Sequence, residues 1–192
     1  MAIPDLPHLQ IEKPEELWVW LEGHHGQDSS VLLVTFKKHV ADRYVSTGAV
    51  LDALVAFDWM DGRRFKLDAD RTMQLISPRK AQHWSKTYKD RAARLIADGR
   101  MHDAGLKGIE RAKANGGWTF LDDVDALVVP DDLETALKSA PTAWAHYQAF
   151  PPSAQRDILR WIKLAKTAAT RSKRIAETVA KAARNERASG TR

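Results

Sequence analysis

Apolar residues fall at both helical and strand spacing over the first 117 residues, and at helical spacing alone from about residue 130 onward. An extended lead-in carrying Pro4 and Pro7 precedes a short strand near Leu9–Ile11. Pro14 suits the first turn of a helix, where a missing N–H costs nothing. The following EELWVWLEGHH puts Leu17, Trp18 and Leu21 at helical spacing, with Gly23 or Gly26 as the stop. Residues 30–37, SVLLVTFK, form a β-rich run of strand length. Ser46 is placed to cap a helix reaching Phe57, with Val50, Leu51, Leu54 and Val55 on its apolar side.

Between Phe57 and Lys86 the period changes to two. Phe65 and Leu67 alternate with Arg64 and Lys66, Asp68-Ala69-Asp70 supplies turn chemistry, and Arg71–Ser77 returns with Met73 and Leu75 on one face. Pro78 ends the strand because it cannot donate to a ladder. A helix over Lys86–Asp98 follows, capped by Ser85 and stopped by Gly99, and another over Asp103–Asn115. Trp118–Val129 is irregular and acidic and reads as a connector. Beyond it, Asp131-x-x-Glu134 resembles a capping box for a helix to Ser139. Pro141–Phe150 forms a second helix, Pro151-Pro152-Ser153 breaks and caps a third with an Ile158, Trp161, Ile162 and Ala165 stripe, and Thr167–Arg187 forms a fourth with Ile175 and Val179 inward. The expected organisation is residues 1–117 as one domain, 118–129 as connector, 130–187 as a helical module and 188–192 as a frayed tail.

Charge is distributed unevenly. From Gln155 to the end there are 11 Lys and Arg against 3 Asp and Glu, and from Gly62 to Arg94 there are 10 against 3. Two basic regions of this kind can recruit phosphate, nucleic acid or acidic partners, or serve as solvated surface. Cysteine is absent, which excludes disulfides, thiolate metal sites and a cysteine nucleophile, and fits a cytoplasmic protein. No secretory signal and no membrane-length apolar run is read from the chain.

Catalytic patterns fail one by one. His24 and His25 are adjacent and point about 100° apart on a helix, and no other histidine pair has metal-ligand spacing. Ser77, His83 and Asp61 share one stretch without a nucleophile elbow, and neither phosphate-binding glycine loop occurs. No metal, cofactor or catalytic residue is therefore expected. What stands out is the density of Trp59, Asp61, Arg63, Ser77, Arg79, Trp84 and Lys86 on the hairpin. Arginine forks match carboxylate or phosphate and tryptophan offers a stacking face; the same residues could equally be core anchors and turn-formers.

The stretch FDWMDG, with Ser77-Pro78-Arg79-Lys80, Trp84-Ser85-Lys86, Gly99-Arg100-Met101 and Gly105, resembles the YdeI/OmpD-associated, or bacteriocin-protection, family. Phe150, Ser153, Arg156, Trp161-Ile162, Ala165-Lys166, Thr170-Arg171 and Arg174-Ile175 resemble that family's C-terminal module. The resemblance runs from about residue 13 onward. The family usually has glycine where Asp58 stands, and asparagine where Thr87 or Tyr88 stands. It implies an α+β N-terminal domain, a small antiparallel sheet with packed helices in a YdhG-like or frataxin-like layout, followed by an all-α module. It also implies tolerance of bacteriocins or antimicrobial peptides and a link to porin regulation, with no catalytic residues. The expected function is a non-enzymatic stress or envelope-protection protein that binds an anionic small molecule or acidic protein at the hairpin. A nucleic-acid-associated protein is the alternative and an uncharacterised enzyme the third reading.

Overall fold

The structure, a computed structural model, describes residues 3–80 and 83–188. The chain forms two compact units, Met1–Thr119 and Phe120–Arg192.

The first unit is α+β. Strand β1 (His8–Gln10), helix α1 (Pro14–His24), strand β2 (Val31–Phe36) and helix α2 (Thr47–Ala56) lead into the hairpin β3 (Trp59–Lys66) and β4 (Arg71–Pro78). Helices α3 (Lys86–Ala97) and α4 (Asp103–Ala114) complete it. The four strands lie in the order β1-β2-β4-β3. The expected wholly antiparallel sheet is corrected to a mixed one, because β1 pairs parallel with β2. Helix α1 is the crossover that such a parallel neighbour requires.

The pleat sorts the apolar residues onto two faces. Leu33, Trp59 and Ile76 join Leu17, Leu21, Leu54, Trp84 and Leu95 in the main core with the helices. Leu32, Val34 and Met73 form a smaller cluster with Phe65, Leu67 and Leu75. Between Asp61 and Arg64 the β3–β4 register slips: Asp61 opposes Ile76, but Arg64 opposes Gln74. Three steps on β3 match two on β4, so β3 carries one extra residue, a β-bulge. Gly62 sits there, where an added Cβ would lie 3.3 Å from Leu75.

Local signals account for most boundaries. Ser46 Oγ accepts the Ala49 N–H at 3.1 Å to cap α2. Asp68 Oδ1 accepts the N–H groups of Asp70 and Arg71 and closes the hairpin. Gly99, at φ +65°, ends α3 while the Arg100 N–H donates to the Leu95 carbonyl.

The second unit holds α5 (Asp122–Asp125), α6 (Asp131–Lys138), α7 (Pro141–Ala149), α8 (Pro152–Lys163) and α9 (Ala168–Ala183). The stretch expected as a connector contributes α5, and Leu121 and Val124 are buried in this unit's core with Leu133, Leu137, Tyr147, Ile158 and Ile162. Ser85 holds the cap position of α3 without a side-chain cap bond, and two further expectations are corrected. The capping box does not form: Asp131 is already helical and Pro130 holds the cap position, with no side-chain cap. The Asp131, Asp132 and Glu134 carboxylates instead lie in the first turn, where the helix dipole favours negative charge. Likewise Ser153 lies inside α8, which Pro151 precedes and Pro152 opens. Thr167 does cap α9, its Oγ1 accepting the Thr170 N–H. At the expected frayed end Ala188 is buried, and 189–192 lie outside the described residues.

Candidate functional site

The hairpin enters through a strained residue. Asp58, between α2 and β3, has φ +59°, in the left-handed region that non-glycine residues rarely enter and aspartate enters more easily than most. Its carbonyl accepts the Arg79 N–H at 2.8 Å, tying the start of β3 to the end of β4. Its carboxylate reaches α4, where Arg111 Nη2 donates to Oδ2. An added Cβ at Gly108 would lie 2.2 Å from Asp58 Oδ1, and one at Gly105 would lie 2.3 Å from the Ala56 carbonyl. The two glycines therefore give α4 a bare face on which the α2–β3 junction seats.

Arg79 occupies the centre of this cluster. Its side chain is 3% exposed, and its guanidinium lies 4.4 Å from the Trp84 ring centre and 4.8 Å from that of Tyr88. Arg79 Nε stands 3.8 Å from Asp58 Oδ1, an ion pair without a hydrogen bond. Asp58 Oδ1, Arg79 Nε and Nη2, and Trp84 Nε1 are buried without hydrogen-bond partners among the described residues. Burial pushes the Asp58 carboxyl above its usual value, with Arg111 and then Arg79 pulling the other way. Burial also lowers the Arg79 guanidinium, against the opposing effects of Tyr88, Asp58 and Asp61.

The residues singled out on the hairpin thus separate into two groups. Trp59 is wholly buried, and its Nε1 donates to the His25 carbonyl at 3.0 Å. Trp84 is 1% exposed and packs 5.1 Å from Trp118. Asp61 is held from two sides, accepting from Tyr88 Oη and from Gln74 Nε2. Ser77 Oγ lies 2.7 Å from Ser30 Oγ. Arg63 is exposed with its guanidinium 5.5 Å from the Phe65 ring centre, and Lys86 is exposed with Nζ 2.7 Å from Asp90. The structure brings Arg79 and Trp84 together and keeps Arg63 and Lys86 at the surface.

Tyr88, Gln74 and Arg111 belong to the cluster and were not among the residues picked from the sequence. The spacing Gly105, Gly108, Arg111 on one helical face was the signal for the last. Among the described residues nothing in the cluster sets a nucleophile beside a base, and Ser77 and Asp61 each have other hydrogen-bond partners. As chemistry, this is a buried ionic clamp. Beside it a solvent-open groove of about 330 Å³ is lined by Asp28, Ser30, Met60, Asp61, Gly62, Leu75, Ser77, Pro78 and Lys80. Among the described residues no group of three or more His, Asp or Glu could hold a metal ion, and no helix is long and apolar enough to cross a membrane.

In the second unit the basic motif residues also hold structure. Arg171 donates through Nε and Nη2 to Asp132 at 2.6 and 2.8 Å, clamping α9 to α6. Arg174 donates to the Trp161 carbonyl near the end of α8 and lies 5.3 Å from the centre of that ring. Lys163 Nζ donates to Asp123 at 2.5 Å. A cavity of about 130 Å³ lies between these contacts, lined by Asp123, Val124, Val128, Pro130, Leu159, Lys163 and Arg171.

Comparison with known proteins divides the chain at a similar place. Residues 126–185 match the family described as Bacteriocin-protection, YdeI or OmpD-Associated. The resemblance read from Phe150 through Ile175 lies inside that match. The stretch carrying Trp59, Asp61, Ser77 and Arg79 lies instead inside a match to a domain of unknown function over residues 9–108. No curated protein and no solved structure matches the chain. Because the match over 9–108 spans just over half of its 192 residues, the chain belongs to the family described as Domain of unknown function (DUF8412), with a second unit of the YdeI or OmpD-associated, bacteriocin-protection type.

Proposed function

We propose that the protein acts in bacteriocin protection or a related stress response, as a non-enzymatic binding protein of the cytoplasm. The observation that carries this reading is the match of residues 126–185 to the bacteriocin-protection family. The first unit is then a scaffold, of YdhG-like or frataxin-like layout, that presents the hairpin. Its ligand is an anionic molecule or an acidic partner. Arg63 and Lys86 meet that ligand directly, while Asp61, Ser77 and Lys80 border the adjoining groove. Trp59, Arg79 and Trp84 act from beneath by fixing the hairpin, since burial leaves them no open face.

The test is survival of a bacteriocin-sensitive bacterium with and without the expressed protein, across a panel of bacteriocins and cationic antimicrobial peptides. Increased survival against at least one agent is expected. Unchanged killing curves across the panel, with the protein folded and abundant, overturn the reading.

A further inference from the structure

The strand order leaves β3 at an edge of the sheet. It is eight residues long, which is about 26 Å of strand, whereas the opposite edge strand β1 has three residues. Among the described residues, β3 pairs as a strand with β4 alone. Half of its backbone donors and acceptors therefore face outward, the arrangement that accepts an added strand.

The side chains along that edge limit what can be added. Gly62, Arg63, Arg64 and Lys66 are all exposed. Asp61, the one acidic residue on β3, is turned inward onto Tyr88 and Gln74. A second copy of β3 would bring like charges face to face, and the bulge at 61–64 disrupts a regular ladder. Both features discourage self-pairing. An acidic strand meets the same edge with opposite charge. At the Met60–Gly62 end, the groove of about 330 Å³ has Met60 and Leu75 among its walls and can take an apolar side chain projecting from the added strand.

We infer that the outer edge of β3 is a strand-addition site for an extended segment of an acidic partner protein, alternating acidic and apolar residues. This deepens the proposed function by naming the partner class at the hairpin, and it rests on that reading's choice of the hairpin as the contact.

The test uses the full chain and three fluorescent peptides of about nine residues, matched to the length of β3. One alternates glutamate and valine, one alternates lysine and valine, and the third is the glutamate peptide N-methylated at alternate amides. Anisotropy titrations are paired with amide hydrogen exchange. Binding of the glutamate peptide is expected, with slowed exchange concentrated on 60–66. The lysine peptide is expected not to bind, and N-methylation to weaken binding by about tenfold or more, the loss of a few ladder hydrogen bonds. The Arg63→Glu, Lys66→Glu double variant is expected to exchange the two peptide preferences. Equal binding of the plain and N-methylated peptides, no binding of the glutamate peptide, or protection of β3 only through dimerisation of the chain each overturns strand addition. The survival assay is scored separately, so the protective role stands or falls without this result.

Discussion

Replacing Asp58 probes the cluster most directly. In Asp58→Ala the Arg79 guanidinium keeps its burial and loses its ion-pair partner at 3.8 Å. Breaking a buried pair from one side costs about 3–5 kcal/mol. Asp61 and Tyr88 stay close enough to Arg79 to offset part of this, which places the loss near the lower end. Arg111, half exposed, returns to water at a cost of less than about 1 kcal/mol. Asp58→Gly removes the same carboxylate but relieves the left-handed backbone, worth about 1 kcal/mol. The expected order is wild type, then Asp58→Gly, then Asp58→Ala, the last about 3 kcal/mol below wild type. Five tryptophans lie in the first unit and two in the second, so bulk fluorescence would mix the transitions. Urea unfolding should be followed by amide exchange in β4 and α4 instead. Adding Arg79→Met to Asp58→Ala should restore stability, because removing both charges leaves neither stranded. Burial raises the Asp58 carboxyl, so the unfolded chain releases this proton first as pH rises through the ordinary value of 3.8. The stability this group contributes below that pH is then lost as pH climbs through its folded value. Asp58→Asn should therefore improve relative to wild type across the same rise. Additive effects of Asp58→Ala and Arg79→Met, or an Asp58→Gly protein as stable as wild type, would refute the clamp.

Three further outcomes follow from the geometry. Gly108→Ala should destabilise the first unit despite a helix-propensity gain of about 1 kcal/mol, because the new Cβ would lie 2.2 Å from Asp58 Oδ1; in the Asp58→Gly background the same change should stabilise, read as a shift in urea midpoint. Arg171→Ala should lower the stability of the second unit by up to about 1 kcal/mol at neutral pH. The Arg171 hydrogen bond holds the Asp132 carboxyl below 3.8, so the deficit should shrink as pH falls through the folded value of Asp132, measured by melting in an acid series. Tyr147→Phe should be neutral or stabilise by about 1 kcal/mol, because the hydroxyl is buried without a hydrogen-bond partner among the described residues. Burial pushes that phenol up to about 12, so wild type should lose stability as pH rises from the free-phenol value of 10.0 and the variant should lose less, followed by alkaline unfolding.

Periodicity made the hairpin, α2, α8 and α9 readable, since each carries a regular apolar stripe, and Pro141 and Pro152 marked where α7 and α8 open. Ser46, Asp68, Gly99 and Thr167 behave as their residue types require. The parallel pairing of β1 was not readable, because three residues carry no period and direction is set by the α1 crossover. Helix α5 was missed for a different reason. It is four residues long and ends on Leu127 at φ +59°, where the usual signal is glycine. Of the cluster, the sequence placed Arg79 beside Trp84 but not their burial. That depends on Tyr88, contributed by α3, and on Trp118, which follows α4.

Asp58 ties the start of the hairpin to α4. A glycine at this position would fit the left-handed backbone, φ +59°, without strain. Aspartate can stand there because α4 accommodates its carboxylate: Gly108 leaves the space and Arg111 supplies the charge. The three positions form one packed and paired unit, so the Asp58 carboxylate is explained without a ligand. The same holds for Arg171 and Arg174, whose donors are turned onto Asp132 and the Trp161 carbonyl. Residues that look most like ligand contacts in the sequence are thus occupied in holding each unit together. The cations that project from the hairpin stand on the outer strand, where Arg63, Arg64 and Lys66 are exposed along the edge of the sheet. The buried Arg79, packed against Trp84 and Tyr88, belongs to the core of the unit and stands apart from that edge.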